Sequence, residues 1–233
     1  MRTIAIIPAK DEEIKIGIVV SGVLRHAKEI VDDVIVVDDG SSDNTASVAK
    51  ESGATVISHP KNKGVGAAIR TGIVYAIQKN YDICVVMGGD AQDDPREINR
   101  VISPIVNGGY DFVQGSRVHG TVVNFPIFRK ITTYLFNLFF KIVAGVRITD
   151  ASNGYRAFRT KIVKDPRINL QQEWLNRYEL EPYLFLQTIK RGYKVKEVPV
   201  TKMYFKELGY SKMKPILSWW HILRPLITEF FRK

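Results

Sequence analysis

Hydrophobic and polar positions in the first half of the chain follow two alternating patterns. Short apolar runs, which are typical of buried strands, are separated by longer stretches with apolar residues at helical spacing. The predicted strands cover residues 3–7, 34–37, 54–57 and 81–86. The predicted helices lie between and after them: one carrying Ile14, Ile18, Val19, Val23 and Leu24, one starting at Asp43 to Thr45, one over 64–79, and one opening at Asp94 and Pro95. Strands separated by helices predict an α/β fold, with a mostly parallel sheet and helices on both faces.

Residues 125–146 form a longer amphipathic pattern that is bordered by cations. Arg129, Lys130 and Lys141 flank apolar residues that recur at helical spacing: Ile127, Ile131, Leu135, Leu138 and Ile142, with Phe128, Phe139 and Phe140 beside them. An apolar face with basic borders is typical of helices that lie in a bilayer interface. The alternative is that this face packs on the domain core.

Residues 215–231 repeat this pattern at the end of the chain. The expected apolar face consists of Ile216, Trp219, Trp220, Leu223, Leu226, Ile227, Phe230 and Phe231. Because Pro225 interrupts the stretch, we expect two short helices rather than one straight helix. The adjacent tryptophans and the basic end favour an interface segment over core packing. Contact with a second copy of the chain, through this face and that of residues 125–146, is a third interpretation.

Charge is concentrated in the same two regions. The chain of 233 residues carries a formal net charge of +10, and segments 112–149 and 201–233 contribute +5 each. Such concentration predicts an anionic partner: a phosphate, a membrane surface or a nucleic acid. No uncharged run approaches the ~20 residues of a membrane-spanning helix, which argues against a transmembrane protein. The N-terminal apolar run is too short for a signal peptide, and the single cysteine permits no internal disulfide.

Polar residues follow the predicted strands, where an open α/β sheet binds its ligands. The first strand leads to Pro8–Glu13, the second to Asp38–Asp43, and the fourth to the turn at 87–95. In that turn we expect Asp90 and Gln92 to hold a divalent cation against a nucleotide diphosphate. The alternative is a polar turn in which Asp93 or Asp94 caps the following helix.

A glycine-containing stretch precedes the third predicted helix. Gly64 and Gly66 would allow close approach of a ligand, and Lys63 and Arg70 beside a helix N-terminus would suit phosphate. Glycine before a helix is also common in ordinary turns.

A set of short motifs covers nearly the whole chain in a fixed order. They are PAKDE at 8–12, VDDGS at 37–41, NKGVG at 62–66, DAQDDP at 90–95, GSR at 115–117, DASNGYR at 150–156, GY at 192–193, EVP at 197–199 and GYSK at 209–212. This order resembles the inverting family 2 glycosyltransferases of GT-A (Rossmann-like) fold. Within that family it is most similar to the polyprenyl- or dolichyl-phosphate mannosyltransferases.

The resemblance implies roles for individual residues. The residues that would bind the nucleotide sugar are Pro8, Ala9, Lys10, Glu12, Val37, Asp39, Arg70, Gly89, Asp90, Gln92, Lys206 and Lys212. Asp90 and Gln92 would ligate Mg²⁺ or Mn²⁺, and Arg117, Arg129 and Lys130 would face the acceptor phosphate. The catalytic residues would be Asp90, Arg117 and Asp150. Residues 1–200 would form the catalytic domain, and residues 201–233 a basic membrane-interface segment.

Three positions depart from the family pattern. The family has an Asp-X-Asp pair where this chain has Gly88 before Asp90, an Asn at Asp11, and an Arg at Lys206. The loss of the first acid removes a sugar or ribose contact and leaves Asp90 as the remaining carboxylate.

The acceptor decides whether the reaction needs a base. A lipid phosphate is already an anionic nucleophile, whereas a hydroxyl needs a carboxylate to take its proton, for which Asp150 is the candidate. Asp150 could equally be a turn residue or the ion-pair partner of Arg156.

The resemblance implies transfer of mannose from GDP-mannose to a membrane polyprenyl phosphate, by a peripheral enzyme on the cytoplasmic face of the membrane. A second hypothesis is a family 2 transferase that uses another nucleotide sugar, such as a UDP-glucose type, or a hydroxyl acceptor. A third, of another class, is a non-catalytic basic protein that binds membranes or nucleic acid. The chain has no nucleic-acid-reading motif, and we expect no nucleic-acid partner.

Overall fold

The computed structural model describes residues 1–204 and 217–231. Its central feature is a seven-stranded sheet with the order β3-β2-β1-β4-β7-β5-β8. The strands are β1 (Thr3–Ala9), β2 (Asp33–Asp38), β3 (Thr55–Ser58), β4 (Ile83–Val86), β5 (Phe112–Ser116), β7 (Arg156–Arg159) and β8 (Val195–Pro199). Only β7 runs antiparallel to its two neighbours, β4 and β5. The predicted mostly parallel α/β sheet is confirmed.

Helices cover both faces of the sheet, as predicted. They are α1 (Glu13–His26), α2 (Thr45–Glu51), α3 (Val65–Gln78), α4 (Ile98–Gly108), α5 (Ile127–Ala144), α6 (Thr160–Val163), α7 (Leu180–Lys190) and α8 (Leu217–Phe230). Alternate residues of β1 point to opposite sides, so Ile4 and Ile6 pack with α3, α5, α7 and α8, while Ala5 and Ile7 pack with α1, α2 and α4.

Only two of the apolar residues that the sequence pattern placed on α1, Val19 and Val23, belong to its buried face. Ile14 and Ile18 are exposed and Leu24 is at the margin, whereas Ile16, Val19, Val20 and Val23 are buried. Both sets have helical spacing, because α1 carries apolar residues on two sides. The spacing alone could not show which side meets the sheet.

The α8 helix is continuous, so the prediction of two short helices is wrong. Pro225 lies inside it and removes one backbone hydrogen bond. Ile222 and Leu226, on either side of this proline, are buried in the core. Packing against α5 and α7 therefore holds the segment helical across the missing bond.

Apolar residues of α5 divide between the core and the surface. Phe136, Phe140 and Val143 are buried. The other side of the helix exposes Ile127, Phe128, Ile131, Tyr134, Leu135, Leu138 and Ile142, each 46–71% accessible. The apolar residues predicted from helical spacing therefore form the outer face of α5, except for Phe139 and Phe140, which pack on the core.

Only part of the apolar face predicted for the C-terminal segment lies at the surface. Leu226 is buried, whereas Trp220, Phe230 and Phe231 are exposed. The Phe230 ring lies 6.2 Å from the ring of Phe139, so the end of α8 adjoins α5. Among the described residues, no helix combines the length and apolarity needed to cross a bilayer.

A short second sheet pairs β6 (Val122–Val123) with β9 (Lys202–Met203). An isolated bridge joins Asp93 to Lys202. This small sheet therefore carries the chain after β8 across the turn that follows β4.

Candidate functional site

The ends of three neighbouring strands meet at one edge of the sheet. β1 lies between β2 and β4, and backbone hydrogen bonds continue beyond the strands. Asp39 N donates to Ala9 O at 2.8 Å, and Gly89 N lies 3.3 Å from Pro8 O. Polar segments that are far apart in sequence are thereby brought together, as the parallel order predicts.

Asp39 lies directly after β2, two residues beyond Val37, and both side chains are buried. Its carboxylate accepts hydrogen bonds from the backbone N–H groups of Lys63 and Gly64, at 2.8 and 2.7 Å, and from His59 Nδ1 at 2.8 Å. Asp39 therefore holds the loop before α3 against the sheet. A carboxylate has about four acceptor positions, so three internal bonds leave room for the predicted base or ribose contact.

The loop after β1 is tied to the loop after β2. Lys10 Nζ donates to Gly40 O at 2.8 Å, and the Glu12 carboxylate lies 2.5 Å from Lys15 Nζ. Asp11 has a φ of 49° and accepts a hydrogen bond from Ser42 N at 2.8 Å, which holds the Asp11 pKa below its ordinary value. The left-handed region favours Asn and Asp alike, so the departure from the family's Asn preserves the backbone.

The N-terminus of α3 is covered by the protein's own backbone. Ala67 N donates to Asn176 O at 2.9 Å. A Cβ at Gly64 would lie 2.3 Å from Asn176 O, and one at Gly66 would lie 2.2 Å from Leu175 O. The glycines thus admit segment 175–177 rather than a ligand, and the phosphate site expected at this helix end is not supported.

Arg70 has partners in the same region. Its guanidinium donates to Leu170 O at 3.1 Å and to the side-chain oxygen of Asn176. These contacts fix segment 170–176 on α3 and account for Arg70 without a nucleotide.

The turn after β4 contains a half-buried Asp90 and a buried Gln92. Gln92 N donates to Asp90 Oδ1 at 3.2 Å. Asp94 caps the next helical turn by accepting from Arg96 N at 2.9 Å, as one alternative predicted. Asp93 does not cap it, because its carboxylate binds Lys202 instead.

Lys202 is a buried cation on β9 that contacts this turn and that the sequence did not reveal. Its ammonium lies 2.8 Å from Asp93 Oδ1, and Gly88 N donates to Asp93 Oδ2 at 3.1 Å. Burial alone would lower the Lys202 pKa, but the charges of Asp93 and Asp90 raise it above its ordinary value. Its place in a basic segment was visible in the sequence, but its pairing across more than a hundred residues was not.

Arg117 and Asp150 form a buried pair. Arg117 Nε and its backbone N donate to Asp150 Oδ2 at 2.7 and 2.9 Å, and one terminal nitrogen donates to Asp150 Oδ1 at 2.8 Å. Ser152 Oγ lies 3.2 Å from Oδ1. Burial would raise the pKa of Asp150, but the Arg117 charge holds it below its ordinary value, so the group is a weak base. Its partner is Arg117 rather than Arg156, which instead pairs with Glu181 at 3.3 Å.

Glu197 on β8 anchors the turn that carries Asp150. Its carboxylate accepts from Thr149 N at 2.8 Å and from Asp150 N at 2.8 Å. Thr149 Oγ1 adds a further bond at 2.9 Å. The EVP motif thus supports the Arg117–Asp150 pair from the edge of the sheet.

Tyr204 connects Arg117 to the start of α5. Arg117 donates to the Tyr204 hydroxyl at 3.1 Å, the Phe125 ring stacks on Tyr204 at 5.4 Å, and the Arg129 guanidinium lies 5.3 Å from the same ring. Lys130, the next residue of α5, is exposed. Tyr204 was not predicted. It lies directly after β9, where its backbone N–H donates to Val123 O at 3.1 Å.

The described residues contain no cluster of three or more His, Cys, Asp or Glu that could hold a metal ion. The donors expected in the turn are the Asp90 carboxylate and the Gln92 amide oxygen. Mg²⁺ and Mn²⁺ accept one or two protein carboxylates when substrate phosphates and waters complete the shell. Asp90 and Gln92 therefore fit a cation that is bound largely by the donor diphosphate.

Comparison with known proteins gives concordant matches. Residues 4–165 match the protein family that is described as Glycosyl transferase family 2. The polyprenol monophosphomannose synthase of Mycolicibacterium smegmatis is 33% identical over 220 residues, which cover 91% of this chain and 81% of that protein. The UDP-N-acetylglucosamine–dolichyl-phosphate N-acetylglucosaminyltransferase of Methanococcus voltae is 32% identical over 218 residues, which cover 85% of this chain and 84% of that protein.

Solved structures show the same fold. Glucosyl-3-phosphoglycerate synthase from Mycobacterium tuberculosis, in complex with Mn²⁺, UDP and glucosyl-3-phosphoglycerate, superposes with a TM-score of 0.75 at 19% identity. The match covers 98% of this chain and 79% of that one. At this identity the likeness concerns the GT-A fold.

Proposed function

Since this chain belongs to glycosyltransferase family 2 and is a hexosyltransferase-type enzyme, we propose that it transfers a sugar from a nucleotide diphosphate to a polyprenyl phosphate, with inversion. GDP-mannose is the proposed donor, and mannose is the sugar that is transferred. The similar proteins include both a mannose and an N-acetylglucosamine transferase, so the donor sugar rests on the motif resemblance. The hypothesis of a non-catalytic basic protein is set aside by the family.

One observation carries the choice of acceptor: a chain of polar contacts leads from the Asp90 turn towards the amphipathic helix α5. Lys202 pairs with Asp93, and two residues later the Tyr204 hydroxyl accepts a hydrogen bond from Arg117 while the Tyr204 ring lies under the Arg129 guanidinium. Arg129 is in the first turn of α5, whose outer face is apolar. Such an arrangement suits an acceptor with an anionic head and a hydrocarbon tail.

The state of Asp150 also favours a phosphate acceptor over a hydroxyl. Its oxygens accept bonds from Arg117 and its pKa is lowered, so it is poorly placed to remove a proton. A phosphate oxygen needs no base. It would attack the anomeric carbon as the bond from that carbon to the nucleotide diphosphate breaks, and the diphosphate leaves with the electron pair.

Charge development on the leaving diphosphate is the step that the protein must stabilise. The side chains of the cations Arg117 and Lys202 are nearly buried, and preorganised charges in a buried site are effective because they need no reorganisation. A divalent ion held by Asp90 and Gln92 would supply Lewis-acid stabilisation of the diphosphate oxygens. Pro8, Ala9, Lys10, Glu12, Val37, Asp39 and Gly89 are the proposed nucleotide-sugar contacts. Lys206 and Lys212, predicted with them, lie outside the described residues.

Membrane association follows from the proposed acceptor. The outer face of α5, with Trp220, Phe230 and Phe231 of the α8 region, would lie in the bilayer interface, and Arg129, Lys130 and Lys141 would face lipid phosphates. Each cation near an anionic leaflet adds about 1 kcal/mol of attraction. We propose a peripheral position on the cytoplasmic face, with residues 201–233 contributing to the contact.

A transfer assay with paired donors tests the proposal. Purified protein is incubated with polyprenyl phosphate in vesicles, Mn²⁺ or Mg²⁺, and labelled GDP-mannose, UDP-glucose or UDP-N-acetylglucosamine, followed by extraction of lipid-linked label. We expect label from one donor, and none when the free polyprenol replaces the phosphate. Label transferred to the free polyprenol would favour a hydroxyl acceptor, and no transfer from any donor would reject the acceptor class.

A further inference from the structure

The cation Lys202 gives the Asp90 turn an unusual charge arrangement. Its Nζ lies 2.8 Å from Asp93 Oδ1, and the side chains of both residues are nearly or fully buried. Backbone bonds fix this position, since Lys202 N donates to Thr121 O at 2.9 Å and Met203 N donates to Gln92 O at 2.9 Å. Lys202 is therefore held in the turn by the backbone on both sides as well as by its charge.

Gly88 lies close to two carboxylates of this turn, those of Asp90 and Asp93. A Cβ at Gly88 would be 2.9 Å from Asp90 Oδ1 and 3.7 Å from Asp93 Oδ2. An acidic side chain at 88 would thus enter the space between Asp90 and Asp93. The chain carries no acid there, and it holds a lysine ammonium on Asp93. Both features reduce the negative charge that a divalent cation would meet.

We propose that Lys202, together with Gly88, lowers the affinity of the donor-free protein for divalent cations, so that the metal binds as a complex with the nucleotide diphosphate. The inference rests on the metal site of the proposed function. Lys202 repels a second cation, and it occupies the oxygen of Asp93 that faces it. The donor diphosphate brings enough negative charge to overcome both effects, which makes metal binding and donor binding strongly coupled.

A purely structural role for Lys202 predicts something different. If Lys202 only ties β9 to the turn, its replacement should reduce stability and leave the metal affinity unchanged. Metal affinity is therefore the quantity to measure, and it requires neither the sugar nor the acceptor.

Mn²⁺ titration followed by the electron paramagnetic resonance signal of the free ion tests the inference on the full chain without donor. Lys202→Gln removes the charge and keeps a hydrogen-bond donor towards Asp93, and Lys202→Met is the second neutral variant in case one does not fold. We expect either variant to bind Mn²⁺ at least about tenfold more tightly than the wild type, because Lys202 already feels the charge of Asp90, and a unit charge so coupled to a site has an effect of that order. Lys28→Gln, at an exposed position after α1, controls for the change in net charge and should leave the affinity unchanged.

The Gly88 position provides an independent pair of variants. Gly88→Asp should strengthen Mn²⁺ binding about tenfold or more, while the uncharged Gly88→Asn should not. The Asp90 carboxylate must rotate to admit either side chain, so the two variants share the same steric change. In the wild type, addition of GDP or UDP should strengthen Mn²⁺ binding by a larger factor than in Lys202→Gln.

Two results would overturn the inference: folded Lys202→Gln or Lys202→Met with wild-type affinity for Mn²⁺, or equal gains in Gly88→Asp and Gly88→Asn. Failure of the proposed function has a separate signature. In that case wild-type protein would transfer no sugar in the lipid assay, whatever its Mn²⁺ affinity with and without GDP or UDP.

Discussion

Arg117 and Asp150 illustrate how a single buried pair can organise a candidate site. Desolvation of two charges is costly, and the bidentate geometry and the added bonds from Ser152 and the Arg117 backbone offset that cost. With Asp150 committed in this way, Arg117 has a fixed direction and keeps one nitrogen on Tyr204. We infer that Asp150 acts by positioning Arg117 rather than by taking a proton.

Asp150→Asn should therefore impair both stability and transfer. The substitution leaves the Arg117 charge buried beside a neutral amide, which should cost about 3–5 kcal/mol in the free energy of unfolding. Urea unfolding at neutral pH measures this loss. Ser152→Ala is the matched control, because it removes a neighbouring hydroxyl without changing the charge and should cost about 1 kcal/mol. Wild-type stability in Asp150→Asn would show that the pair contributes little.

The same pair predicts a direction for acid unfolding. The folded-state pKa of Asp150 lies below the ordinary value of about 3.9, so the pair stabilises the fold above that pH. Its contribution is lost as the pH falls below about 4 towards the folded-state value. Thermal unfolding between pH 7 and pH 2 should show a steeper loss for the wild type than for Asp150→Asn. Parallel curves would contradict this assignment.

At the scale of single residues, the sequence was informative about chemistry and poor about partners. Motif order identified Asp90, Arg117 and Asp150 as candidates, but Arg117 and Asp150 were assigned separate roles. Lys202 and Tyr204 were overlooked because their significance depends on Asp93 and Arg117, which are remote in sequence. Pairing of this kind is decided by the short β6–β9 sheet, whose two-residue strands have no recognisable hydrophobic pattern.

Among the elements, the start of α3 shows how glycines can mimic a ligand site. Gly64 and Gly66 resemble a phosphate-binding loop, yet the atoms that approach them are the carbonyl oxygens of Leu175 and Asn176. The sequence could not distinguish these cases, since both require a small residue beside a helix N-terminus.

Gly66→Ala should destabilise the protein although it lies in a helix. Alanine in a helix is ordinarily favoured over glycine by about 1 kcal/mol. Here the added Cβ would lie 2.2 Å from Leu175 O, so segment 175–177 must move, at a net cost of about 1–3 kcal/mol. Gly17→Ala in α1 is the control, because its Cβ would meet only side-chain atoms at 3.2 Å and should change stability by no more than about 1 kcal/mol. Denaturant titration of both variants decides the comparison, and similar small effects would contradict the clash.

The outer face of α5 gives a prediction that separates membrane contact from folding. Ile131→Ser combined with Leu135→Ser removes apolar surface that is already exposed, so the free energy of unfolding should change little. Binding to vesicles of phosphatidylglycerol and phosphatidylcholine, measured by co-sedimentation, should weaken by about tenfold or more, since each buried side chain of this size contributes about 1.5–3 kcal/mol.

A buried residue of the same helix provides the contrast. Phe140→Ala should cost about 3–5 kcal/mol of stability, because Phe140 is fully buried and stacks on Phe185. If the double serine variant binds vesicles as the wild type does, the outer face of α5 is not the membrane contact.

For elements, periodicity predicted location better than orientation. The strands and helices of the first half were expected close to where they lie, and the exposed stripe of α5 was also present in the sequence. The exposure of Ile14 and Ile18 on α1 and the continuity of α8 were not predicted, because each depends on what the neighbouring elements bury. Pro225 in particular costs a backbone bond that packing of Ile222 and Leu226 replaces.

At the scale of the whole molecule, the net charge of +10 is the dominant long-range property. Its two basic segments include the α5 region, where Arg129, Lys130 and Lys141 border the apolar face. Electrostatic attraction should bring the protein to an anionic surface, while apolar burial should retain it there.

Salt should therefore weaken vesicle binding without abolishing it. The Debye length falls from about 8 Å at 0.15 M ionic strength to about 3 Å at 1 M, which screens the cations but leaves the apolar contact. Co-sedimentation with anionic vesicles should decrease on this change, and the α5 double serine variant should lose nearly all binding at 1 M. Binding that is independent of salt would contradict an electrostatic contribution.

The continuity between the site and the outer face of α5 has a kinetic consequence. An enzyme held on a leaflet by that face would meet its acceptors by lateral diffusion within a two-dimensional layer. Dilution of polyprenyl phosphate with inert lipid, at constant bulk concentration of both enzyme and acceptor, should then slow transfer in proportion to the acceptor's mole fraction. Dilution of the whole vesicle suspension with buffer, which leaves the acceptor's mole fraction in the membrane unchanged, should not alter the rate of the bound enzyme.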